Sequence, residues 1–71
     1  MTPTVENARA LKMQLDHWLR DWMCARNPDR PRMIKSIGQE AREMLRESQG
    51  CSEVRDILLP VAMEAEEFGK P

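Results

Sequence analysis

Apolar residues recur at Ala8, Leu11, Leu15, Trp18, Trp22 and Ala25, in steps of 3-4-3-4-3. That spacing keeps returning to one face of an α-helix, whereas a strand alternates faces with period two. Leu19 and Met23 widen the stripe, and no Gly or Pro interrupts it before "NPDRP" at Asn27–Pro31. The spacing therefore predicts one helix over about residues 3–26. Thr2 suits its N-cap, and Pro3 its first helical position, where the missing N–H costs nothing.

The residue before Pro28 is pushed out of the α region, which ends this helix. Asp29 can cap a second one, whose first turn tolerates Pro31. It is expected over about residues 30–48, with a seam of Ile34, Ile37, Ala41, Met44 and Ser48 and with Leu45 beside it. Gly38 lies one turn from Ile34 and Ala41. A glycine there costs about 1 kcal/mol relative to alanine, which close approach of another helix can offset. In "SQGCSE", Gly50 suits the left-handed C′ position and Ser52 caps a third helix, with Glu53 well placed near its N-terminus.

The third helix is expected over about residues 53–68, on a stripe of Val54, Ile57, Leu58, Val61, Ala65 and Phe68. Pro60 falls inside it, removes one hydrogen bond and predicts a kink or a restart. Leu59 and Met63 lie off the stripe and form a second apolar strip. Short connections make successive helices antiparallel neighbours. The expected fold is all-α and a single domain: a small three-helix bundle, or a helical hairpin plus a kinked third helix.

A chain of 71 residues buries only about 60% of the surface that its unfolded form exposes. One core of that size seldom supplies more than about 3–5 kcal/mol without a staple. Two cysteines, Cys24 and Cys51, are too few for a secreted disulfide scaffold. No charged stretch followed by an apolar one opens the chain, so no secretory signal is expected. No apolar run approaches the roughly 20 residues of a membrane span. These features point to a cytoplasmic protein with reduced thiols and no membrane contact. Self-association as a homodimer, covering Leu59 and Met63, is the staple that remains.

Chemistry is mostly excluded. His17, Asp21 and Cys24 are spaced i, i+4, i+7, but on a continuous helix His17 and Cys24 stand about 10 Å apart along the axis. Zinc holds its donors at about 2.0–2.3 Å, so no metal site is expected. The same distance removes a Cys–His catalytic pair within this helix. No glycine-rich phosphate loop, G-x-S-x-G or H-E-x-x-H occurs. The expectation is no enzyme and no cofactor.

With 11 basic and 12 acidic residues the net charge is −1, which argues against a dedicated nucleic-acid binder. The cations do gather: Arg26, Arg30, Arg32 and Lys35 are a candidate basic contact. As a solvated turn they would also compensate the dipole at the end of the first helix. Glu64, Glu66 and Glu67 make the end acidic, so two chains in antiparallel array could attract each other. The helix after Gly50 opens with one Arg among acids and makes a poor recognition helix.

The tryptophans remain. Ala41, Ala62 and Ala65 offer little cover for two large rings, and Trp is enriched at interface hot spots. Met23, Met33, Met44 and Met63 add adaptable apolar surface. No family signature is legible, so the reading rests on residue chemistry. We expect a small non-enzymatic helical protein that binds and modulates another protein, inhibiting or adapting it. Phage- and plasmid-type regulators act this way, an analogy only. The expected binding residues are Trp18, Trp22, Leu59 and Met63, with Trp22 at the interface and Trp18 the more structural. The alternative is a nucleic-acid-binding transcriptional regulator using segment 26–35.

Overall fold

A computed structural model describes residues 4–48 and 50–68. It contains α1 (Val5–Arg20), α2 (Trp22–Ala25), α3 (Arg30–Glu47) and α4 (Ser52–Phe68), with no strand among the described residues. The class is all-α, with four helices rather than three.

α1 is capped by Thr4, whose hydroxyl accepts from the Asn7 backbone N–H. The expected cap, Thr2, and Pro3 lie outside the described residues. The larger correction is at the other end, where the single helix expected over residues 3–26 breaks at Asp21. That residue has φ −77° and ψ 125°, an extended conformation. No proline or glycine causes this. The break is an exchange of hydrogen bonds. In a continuous helix the Trp18 and Leu19 carbonyls would accept from the N–H groups of Trp22 and Met23. Here both accept from the Arg30 guanidinium instead, through Nε to Trp18 at 2.9 Å and through an Nη to Leu19 at 3.1 Å. The Met23 N–H donates to the Asp21 carboxylate at 2.9 Å, and Asp21 becomes the N-cap of α2.

The turn that follows lies at the expected "NPDRP". The Asp29 N–H donates to the Asn27 side chain, and Pro31 sits in the first turn of α3. Asp29 occupies the cap position but makes no side-chain cap bond; its carboxylate pairs with Arg32. At the α3–α4 turn Gly50 has φ +139°, and it is the only residue with positive φ among those described. The left-handed glycine expected there is present.

The contiguous core joins Ala8, Leu11 and Leu15 of α1 to Ile34, Ile37 and Ala41 of α3 and to Val54, Leu58, Val61, Ala62 and Ala65 of α4. α3 packs most extensively on α4, and α1 on both. Gly38 explains the intimacy of the α3–α4 pair: a Cβ added there would lie 2.9 Å from the Ala65 Cβ, closer than two carbons can pack. Ser48, buried at the end of the α3 seam, donates its hydroxyl to the Leu45 carbonyl.

α4 passes through Pro60 without a restart, as one 17-residue helix. Proline leaves the Asp56 carbonyl without its usual donor. Asp56 and Pro60 are both exposed, so water can serve that carbonyl.

Candidate functional site

The break at Asp21 turns the end of the expected seam outward. Trp18 is half-buried and packs against the core, with the His17 ring edge-on to it. Trp22, one residue past the break, is 70% exposed, and its neighbour Met23 is 66% exposed. Ala25 is exposed as well, and Cys24 takes the buried position in α2. A seam that was expected to run through Trp22 and Ala25 therefore stops at Trp18 and Leu19.

Leu59 and Met63 are 48% and 57% exposed on the outer face of α4. Leu59 lines a shallow groove with Leu45, Arg46, Gly50 and Arg55, beside the α3–α4 turn. α2 follows the end of α1 that Arg30, at the start of α3, holds. The two exposed apolar pairs thus lie on different helices, α2 and α4, with Glu64, next to Met63, paired to Arg20 at the end of α1 that leads into α2. Trp18 and Trp22 differ in burial, the first half-buried and the second exposed. Met23, which the periodicity had placed beside the core, instead joins the exposed pair.

The candidate basic contact is divided in the same way. Arg30 faces inward: besides its two carbonyl bonds, its guanidinium carbon lies 4.7 Å from the centroid of the Phe68 ring. Its cation is spent on the ends of α1 and α4 and is not offered to a phosphate. Arg32 pairs with Asp29 at 3.1 Å. Arg26 and Lys35 are exposed and make no ion pair among the described residues. The acidic end is also engaged within the chain, Glu64 with Arg20 of α1 at 3.6 Å and Glu66 with Arg42 of α3 at 2.9 Å. The charge attraction expected between two chains is thus partly satisfied inside one.

A third constellation is one that the continuous-helix geometry had ruled out. With the chain broken at Asp21, donor atoms of His17, Asp21 and Cys24 all lie within 4.8 Å of one another. His17 Nδ1 is 3.3 Å from Asp21 Oδ2. The expected 10 Å separation fails because it assumed one helical axis. The signal for the correction was present: Asp21 is a strong N-cap residue in the middle of an apolar pattern. No hydrogen bond joins Cys24 to His17 among the described residues, so the group is not an assembled nucleophile–base pair.

The chain matches no family model, no curated protein and no solved structure. Its function therefore has to be argued from its own surface. Among the described residues no helix is long and apolar enough to cross a membrane.

Proposed function

We propose that this chain is a small non-enzymatic protein that binds and modulates another protein, and that it does so as a cytoplasmic homodimer. The observation that carries the reading is the adjacent pair Trp22 and Met23, 70% and 66% exposed on a four-residue helix that packs chiefly on α1. Leaving a Trp and a Met side by side in water forgoes about 1.5–3 kcal/mol per side chain that burial would return. An adapting thioether beside a rigid indole is a composition that suits a protein partner. Leu59 and Met63, exposed on α4, support self-association through residues distinct from those that meet the partner.

The test compares Trp22→Ala with Trp18→Ala. Trp22→Ala should keep helix content by circular dichroism and shift stability by no more than about 0.5 kcal/mol. It should nevertheless lose the partner captured from native lysate by wild type, with a binding loss of about 2 kcal/mol or more. Trp18→Ala should destabilise the fold, by part of the roughly 3–5 kcal/mol seen for fully buried Trp. Equal capture by wild type and Trp22→Ala would overturn the reading. The nucleic-acid alternative is weakened by the inward turn of Arg30. It predicts a steep dependence of duplex binding on salt, and the protein-binding reading predicts none.

A further inference from the structure

We propose that His17, Asp21 and Cys24 form a binding site for a divalent ion of the zinc class, which clamps α2 onto the end of α1. Three chemically complementary donors converge within 4.8 Å, and a straight helix would hold two of them, His17 and Cys24, about 10 Å apart along its axis. In a tetrahedral zinc site with bonds of about 2.0–2.3 Å, neighbouring donors lie about 3.3–3.7 Å apart. The His17–Asp21 pair is already at 3.3 Å, and the exposed His17 is free to adjust its ring as an ion binds.

The carboxylate is pre-oriented. One oxygen of Asp21 accepts from the Met23 N–H, and the other faces His17. A hydrogen bond on the far oxygen is the usual way in which a ligating carboxylate is held in place. The capping bond and the His17–Asp21 contact account for two of the three groups without a metal, but they leave Cys24 unexplained. Cys24 is only 8% exposed, yet it is not part of the contiguous core. A thiol sequestered beside an imidazole and a carboxylate, and apart from the core, is the arrangement of a ligand.

The donor set selects the ion. Thiolate and imidazole disfavour calcium and magnesium, which take oxygen donors, and favour zinc. Thiolate and carboxylate together neutralise a 2+ ion, and the imidazole stays neutral. On binding, the Cys24 S–H bond breaks, its proton goes to solvent and an S–metal bond forms, with no change of oxidation state. Water takes the fourth position. The gain is local order: a bound ion contributes its binding energy to folding, the kind of staple that so short a chain lacks.

The test uses the reduced, metal-free full chain, titrated with Zn2+ by calorimetry and with Co2+ by absorption. Wild type should bind one ion per chain, and Co2+ should give tetrahedral ligand-field bands with a thiolate charge-transfer band. Cys24→Ser should abolish the charge-transfer band, and Cys51→Ser should retain it. Asp21→Asn keeps a good N-cap but should weaken binding by at least about tenfold. His17→Gln, at an exposed position, should do the same and decides the matter if Cys24→Ser does not fold. Absence of saturable binding, a charge-transfer band that survives Cys24→Ser, or unchanged affinity in His17→Gln would each overturn the proposal. The titration needs no partner, so its failure is distinct from failure of the protein-binding reading.

Discussion

At the scale of single residues, Gly38 is where an intrinsic preference and a packing demand oppose each other most sharply. Alanine in an exposed helix interior gains about 1 kcal/mol over glycine. Here its methyl group would sit 2.9 Å from the Ala65 Cβ, on a neighbouring helix with no flexible side-chain end to yield. Forcing extra atoms into a packed site costs about 1–3 kcal/mol. Gly38→Ala should therefore lower the urea midpoint, with a net loss of about 1–2 kcal/mol once the propensity gain is subtracted. A raised midpoint would show that α3 and α4 separate freely. The need for glycine was legible in the sequence, because Gly38 lies between two seam residues where nothing but close approach justifies it. The identity of its neighbour was not, since that depends on the register of α3 against α4.

The element scale is where sequence and structure part most clearly. The periodicity of α1, α3 and α4 was readable because each buries a stripe with helical spacing. Asp21 marked a possible end of α1, but the group that settles it was not readable there, because it lies 11 and 12 residues downstream in Arg30. A basic turn residue near a helix C-terminus reads as a loose dipole contact, worth a few tenths of a kcal/mol. The structure makes it a specific clamp. Hydrogen bonds to charged groups are worth about 1.5–3 kcal/mol, and a cation over an aromatic ring adds about 0.5–1. Arg30→Gln should thus destabilise the chain by about 2 kcal/mol or more in chemical denaturation, whereas Arg32→Gln, at an exposed pair, should change it by no more than about 0.5. Equal effects of the two would remove Arg30 from its role at the break. The same blind spot hid the approach of Cys24 to His17: the spacing was plain in the sequence, and the closeness of these two follows from the break, whereas Asp21 is a sequence neighbour of each at helical spacing.

For the molecule as a whole, the exposed large apolar side chains are an adjacent pair on α2, a second pair on α4 and the lone Met13 on α1. The ion pairs Arg20–Glu64 and Arg42–Glu66 bind the helices of one chain together, and exposed pairs of this kind contribute about 0–1 kcal/mol each. Self-association should therefore depend on apolar cover and hardly on salt. Sedimentation equilibrium at micromolar concentration should show a dimer that persists at high ionic strength and that Leu59→Ser with Met63→Ser converts to monomer. A stable wild-type monomer would mean that the core closes without a second copy. Removing Trp22 should leave the dimer intact, because Trp22 is on α2 and the Leu59–Met63 strip is on α4.

The clamp at Arg30 also fixes an order of events. A chain made from its N-terminus exposes residues 5–25 before Arg30 exists, and well before Phe68 does. Until those two arrive, the carbonyls of Trp18 and Leu19 have only water and their own downstream amides to accept from, and the apolar spacing favours one uninterrupted helix with Trp22 in line above Trp18. The outward turn of Trp22 is therefore a property of the completed fold, and the segment that contains it does not carry that turn by itself.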